Sequence, residues 1–202
     1  ARFSLLRINQ RRVAPRNWRP IILLFAENIR DRIELVKLAA AFGQNRGIFT
    51  VSKLLFAKDN PTLKEQEREK EKMIEEMHSH ELEAFCEVNI AKSLNGGILN
   101  ISKGHGIAGL KTNTIMFGWS ENPRANVNQL KIIRRISNLG KNIVLAKFND
   151  HEAWKEERHQ RIDIWWGGRD NNGDLMLILA YMLKLNAVWE DADIHIHAVV
   201  NN

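Results

Sequence analysis

Cysteine is nearly missing from this 202-residue chain: Cys86 stands alone, so no disulfide forms within it and no Cys-based zinc site is available. That composition suits a reducing compartment. Long apolar runs are missing too. None approaches the ~20 residues that cross a bilayer, and the start has no continuous hydrophobic stretch of the secretory kind. The motif G-x-x-x-x-G-K-[ST] is absent, as is G-x-S-x-G, which removes a P-loop and a serine nucleophile elbow. The first residue is alanine, the pattern of an excised fragment or of a removed initiator methionine.

What is present begins with charge. The net charge is +6, and residues 1–20 alone supply it through Arg2, Arg7, Arg11, Arg12, Arg16 and Arg19 with no acid among them. The remainder is formally neutral. A domain that tracks a phosphate backbone spreads its cations over a folded face, so a nucleic-acid partner is not expected. The arm mixes its arginines with Phe3, Leu5, Leu6, Ile8 and Val13, the pattern of a short amphipathic helix. Beside an anionic leaflet each basic residue gains about 1 kcal/mol, which makes the arm a candidate membrane-proximal segment. A solvated arm without a partner is the alternative from composition.

Short β-rich runs alternate with helical patterns, and this order predicts an α/β fold with a mainly parallel sheet. Strands are expected at 21–26, 48–56, 84–91, 114–118, 142–148, 162–166 and 194–200, and helices at 28–42, from Pro61, and at 96–102 and 173–186. The charged stretch KEQEREKEKMIEEMHSH carries apolar residues only near its end, so its early half reads as a solvated face. At an offset of 94 residues Glu27, Asn28, Arg30 and Lys37 recur as Glu121, Asn122, Arg124 and Lys131. The match predicts two similar βαβ-type subdomains, 21–108 and 109–202, behind the 1–20 arm. In the second copy Asn122 and Pro123 open a helix whose expected apolar face is Val127, Leu130, Ile133 and Ile136. The segment LMLILAYMLKL is apolar nearly all round, so its outer face is expected to be covered by the other half of the chain or by another subunit.

Candidate sites are few. GHGIAG at 104–109 spells the dinucleotide fingerprint, but that site needs a strand before it and a helix after it. Here the order is reversed, and the glycines read as an exit from a helix into a strand. His195 and His197 share a strand face and would make two metal ligands without a third. Asp170–Asp174 lacks the full calcium-loop spacing, and His78 and His80 read as surface residues. No catalytic, cofactor-binding or metal residues are therefore assigned, and no enzyme activity is expected.

Three stretches taken together carry a resemblance: Asn17-Trp18-Arg19-Pro20 before an apolar strand, Gly109-Leu110 followed by Asn113-Thr114 and another strand, and Ile162-Asp163-Ile164-Trp165-Trp166 before a leucine-rich helix. Their order and separation resemble the cytoplasmic C-terminal domain of cation-chloride cotransporters of the amino acid, polyamine and organocation superfamily. The resemblance implies a universal-stress-protein-like fold and a non-enzymatic regulatory and dimerisation domain on the cytoplasmic side of a membrane. It also implies two partners, the transmembrane domain of the same transporter and a second copy of the chain. The six arginines would face the inner leaflet or connect to the carrier. Gly167-Gly168-Arg169 replaces a more apolar and acidic passage of the family, and the long phosphorylatable insertions of animal relatives are not evident, which suggests a compact prokaryotic member. A nucleotide-binding sensor of the universal-stress type is the competing reading, and a lone peripheral membrane protein a third.

Overall fold

In the computed structural model, residues 18–43, 47–107, 109–148, 159–167 and 172–198 are described. The chain runs β1 (Ile22–Phe25), a 3-10 turn at Arg30–Arg32, α1 (Ile33–Gly43), β2 (Phe49–Phe56), α2 (Leu63–Ser79), β3 (Phe85–Ala91) and α3 (Leu94–Gly104). It continues with β4 (Gly106–Ile107), β5 (Leu110–Lys111), β6 (Thr114–Gly118), α4 (Pro123–Ser137), β7 (Asn142–Ala146), β8 (Arg161–Trp166), α5 (Asn172–Lys184) and β9 (Asp193–Ala198). Five parallel strands form the main sheet in the order β3-β2-β1-β6-β7. The α/β class and the parallel sheet expected from the alternation are thus observed.

β1 shows why such a sheet forms. Its sequence ILLF has no polar side to offer water, and a strand of that kind is stable only when covered on both faces. Leu24 points into a core built with Leu35 and Val36 of α1, Met73 and Met77 of α2, and Leu179 and Met182 of α5. Leu23 points the other way, to Ile98 and Leu99 of α3 and Ile132 and Ile136 of α4. The two adjacent leucines are both fully buried, each with a different layer over it.

The 94-residue repeat acquires a meaning here. β1 and β6, the strands that open the two copies, lie side by side with Ile22 opposite Thr114 and Leu24 opposite Met116. The first copy sends its helix to one face and the second to the other. The repeat is therefore the doubly wound pattern itself, with the order of strands reversing between β1 and β6.

Local chemistry sets the ends of the helices. Asn28 Oδ1 accepts from the Arg30 amide (3.0 Å) and leads into the 3-10 turn before α1. α2 begins at Leu63 because Thr62 and Glu65 form a reciprocal capping box, with Glu65 Oε2 accepting from the Thr62 amide at 2.7 Å. Ser93 caps α3, which starts two residues ahead of the expected Gly96. In α4 the apolar face differs from expectation. Ile132 and Ile136 are buried, whereas Val127 and Leu130 are exposed, because the inward side of the first half is polar: Asn126 and Gln129, one residue before each, turn toward the sheet with their side-chain oxygens buried.

β8 and β9 form a separate two-stranded parallel sheet in which Asp163 lies opposite His195 and Trp165 opposite His197. α5 packs between this small sheet and α1. That covers the apolar helix from two sides within the chain, leaving Tyr181 and Leu185 exposed.

Candidate functional site

Of the arm's arginines, Arg2, Arg7, Arg11, Arg12 and Arg16 lie outside the described residues, and Arg19 is exposed where the arm joins the sheet. The joint is built around Asn113. Its Oδ1 accepts from the Ile21 amide (2.8 Å) and its Nδ2 donates to the Arg19 carbonyl (2.8 Å). Its own amide donates to the Ile21 carbonyl (3.1 Å), and its carbonyl accepts from the Asn142 amide (2.8 Å). A single residue, through its side chain and its backbone, thus ties the incoming arm to β1, β6 and β7 at their amino ends. Trp18 adds an apolar anchor by packing on the larger core. Sequence comparison across the repeat did not point to Asn113 as a hub, since nothing in residue spacing says that positions 92 apart exchange hydrogen bonds.

GHGIAG lies at the same edge. Gly104 ends α3, and the following residues turn back as an antiparallel β4–β5 hairpin, which the sequence reading did not foresee. Gly109 takes a positive φ of 85°, the conformation that glycine tolerates best. His105 is buried with its Nδ1 2.5 Å from Thr112 Oγ1, and its carbonyl accepts from the Thr112 amide (3.2 Å). Its Nε2 faces Glu87 Oε1 at 3.4 Å. The hexapeptide therefore braces the amino ends of the strands, while the ligand crevice of an open α/β sheet lies at the carboxyl ends.

That carboxyl crevice exists. At the β1–β6 reversal, a cavity of about 440 Å³ is lined by Phe25, Arg32, Ser52, Leu54, Ile98 and Gln129, among others. A second of about 310 Å³ adjoins it beside Arg32, Glu34 and Trp119. Gly118 carries no side chain where Arg32 passes: a Cβ there would sit 3.0 Å from the Arg32 guanidinium. Gln129 Nε2 donates to the Gly118 carbonyl (2.8 Å), which leaves its buried Oε1 without a protein partner.

Charge around the crevice is mixed. Glu27 and Asp31 line it next to Arg32. On the α2 side Glu69 accepts from Lys53 (2.7 Å) and Lys72 (2.6 Å), and these two hydrogen bonds hold its carboxyl down to about 2. Arg30 is bidentate to Glu76 (3.1 and 3.3 Å), which lowers that carboxyl as well.

His195 and His197 do share a strand face. His197 Nε2 lies 2.5 Å from Asp163 Oδ1, Arg161 Nε donates to the same oxygen (2.9 Å), and Trp165 stacks on the His197 ring at 4.7 Å. The hydrogen bonds from Arg161 and then His197 lower the Asp163 carboxyl. Among the described residues, no group of three His, Cys, Asp or Glu side chains is placed to hold a metal. Asp170 and Asn171 lie outside the described residues.

Comparison with known proteins adds identity to this geometry. The family profile of Solute carrier family 12 matches residues 32–132, half of the chain. Potassium/chloride cotransporter 3 of Caenorhabditis elegans is 28% identical over 213 residues, a match covering 98% of this chain and 20% of that protein. The chain thus spans about one fifth of the length of this curated relative. Among solved structures, the crystal structure of the cytoplasmic domain of a prokaryotic cation chloride cotransporter superposes with a TM-score of 0.62 at 18% identity. That superposition covers 90% of this chain and 66% of the other. The chain belongs to Solute carrier family 12 and has the fold of a cation-chloride cotransporter's cytoplasmic domain.

Proposed function

We propose that this chain is a cytoplasmic regulatory and dimerisation domain attached to a membrane cation-chloride (Na/K/Cl) cotransporter, without a catalytic role and outside the transport pathway. No described helix is long and apolar enough to cross a membrane. The observation that carries the reading is the Asn113 joint. It fastens the basic arm to the middle of the sheet, beside the strand reversal, so a pull on the arm reaches the body through short hydrogen bonds rather than a slack linker. In this reading the chain divides into the 1–20 arm and two α/β units, 21–108 and 109–202, which share the main sheet through the β1–β6 pairing. The arginines Arg2, Arg7, Arg11, Arg12, Arg16 and Arg19 face the inner leaflet or the carrier.

A second copy of the chain is the natural cover for the exposed side of α5, where Tyr181 is 59% and Leu185 50% accessible. Sedimentation equilibrium over a wide concentration range tests this: reversible dimers are expected, and Tyr181→Lys with Leu185→Lys should weaken them. A strict monomer at high concentration removes the dimerisation role. In an ion-flux assay on the whole transporter, Asn113→Ala is expected to change regulation while leaving ion selectivity intact.

The switch-point cavity favours one alternative, a nucleotide sensor. Arg32 and the unpartnered Gln129 Oε1 supply polar contacts for a ligand, but Glu27 and Asp31 oppose phosphate and no glycine-rich loop follows β1. Calorimetry with ATP, AMP and NAD decides it: specific micromolar binding, lost in Arg32→Ala, promotes this alternative.

A further inference from the structure

The formal neutrality of the chain beyond residue 20 conceals a segregation of charge. Residues 63–87 hold nine carboxylates against four basic side chains, whereas residues 88–149 hold nine basic side chains and one acid, Glu121. The first group belongs to α2, the connection after it, which carries Glu81 and Glu83, and the start of β3. The second spans α3, the β4–β5 hairpin, α4 and β7.

Topology gathers part of the basic group at one place. In a parallel α/β sheet each helix ends near the amino end of the strand that follows it. Lys103 lies in the last turn of α3, and Arg134 and Arg135 lie in the last turn of α4. Lys111 belongs to β5, and Lys141 precedes β7 with its ammonium bonded to the Thr112 carbonyl. Arg19 reaches the same edge through Asn113.

Helix C-termini attract cations, which accounts for Lys103 and the two arginines. It does not account for Lys111 and Lys141, which crowd one another: burial, and after it the charge of Lys111, lowers the Lys141 ammonium. Among the described residues none of Lys103, Lys111, Arg134, Arg135 and Lys141 pairs with a carboxylate, unlike Lys53, Lys72 and Arg30 on the α2 side. Glu87 on the flank faces His105 instead.

Apolar side chains stand among these cations. Ile107 and Leu110 are half-buried on the hairpin, and Leu139 is exposed in the turn between α4 and β7. Cations ringing a few aliphatic side chains match the boundary between headgroups and acyl chains.

We propose that this amino edge, from the end of α3 through the β4–β5 hairpin to Lys141, docks on the anionic phospholipid headgroups of the inner leaflet. The proposal rests on the membrane attachment proposed above and extends it from the arm to the folded body. Because the arm joins at this edge, a bilayer within its reach faces the same lysines.

The test is co-sedimentation of the 202-residue chain with phosphatidylserine-rich vesicles and with pure phosphatidylcholine vesicles. An arm variant, with Arg2, Arg7, Arg11, Arg12 and Arg16 changed to Gln, is expected to keep measurable binding to the anionic vesicles only. Adding Lys103→Gln, Lys111→Gln and Lys141→Gln should lower that binding about fivefold per lysine, about a hundredfold in all. Lys141→Arg, which keeps the charge, should restore its share. The proposal is overturned if the triple change leaves binding as it was, if the arm variant already fails to bind, or if Lys141→Arg behaves like Lys141→Gln. It is likewise overturned if the arm variant binds polyglutamate or RNA in preference to anionic vesicles. Sedimentation of the same samples separates the two readings: vesicle binding lost with dimers intact supports the patch. Vesicle binding kept in a strict monomer removes the dimerisation role and leaves the patch standing.

Discussion

The helical layer of α1, α2 and α5 and the layer of α3 and α4 enclose the same sheet by different means. The first has the larger core and holds its surface charge internally, with Lys53 and Lys72 on Glu69 and Arg30 on Glu76. The second has a thinner core, exposes Val127 and Leu130, and leaves its cations without carboxylate partners. The first layer neutralises its charge within the chain and leaves apolar Tyr181 and Leu185 open, whereas the second leaves its cations open.

Neighbouring residues of β1 sample the two layers, so they provide the largest test. Leu24→Ala and Leu23→Ala each remove a fully buried side chain and are expected to cost about 2–5 kcal/mol by urea unfolding. The Leu23 variant should lose less, since two helices collapse onto a small cavity more readily than three. Equal or reversed losses would erase the distinction between the layers.

Thr62→Ala on α2 comes next, at about 1 kcal/mol. It should exceed Asn122→Ala on α4, because Thr62 Oγ1 both accepts from the Glu65 amide and donates to the Glu65 carboxylate, whereas the Asn122 side chain accepts from one amide, that of Arg124.

Glu69→Gln is expected to cost less than about 1 kcal/mol at neutral pH, as partly exposed ion pairs do. The sign with pH is definite. The folded carboxyl is depressed to about 2 from 4.5, so its contribution is complete above 4.5 and disappears as pH falls toward 2. Melting curves of wild type and variant should converge over that window.

The smallest effect runs the other way: Lys111→Gln should stabilise by a few tenths of a kcal/mol, about 1 °C in Tm, by relieving the repulsion on Lys141. Because the Lys141 ammonium is depressed when folded, the unfolded chain holds that proton more tightly, and stability climbs as pH rises toward 10.5. The variant should flatten that climb. Destabilisation by Lys111→Gln would mean that this lysine is already partnered within the fold.

Much of the architecture was legible in the residues. The apolar run of β1, Pro123 behind Asn122 and the alternation of strands with helices each express a local rule, and each appears in the fold. The α4 stripe was misread at Val127 and Leu130 because two polar residues, Asn126 and Gln129, take the inward positions of the first half, and a search for apolar periodicity passes over a buried face made of amides. Of the candidate site, the arm's charge was visible and its anchorage was not. Asn113 is an ordinary polar residue until the strand reversal sets it beside Arg19 and Ile21.

The sequence by itself determined the α/β class, the resemblance to a cotransporter family and the reversed setting of GHGIAG, because all three depend on residue types in linear order. Only the tertiary structure decided that β1 and β6 pair within one sheet, that the apolar α5 is covered within the chain on two sides, and that lysines far apart in sequence meet at one edge. Those outcomes depend on which strands become neighbours, and that choice follows from burying both faces of β1 at once rather than from any local pattern.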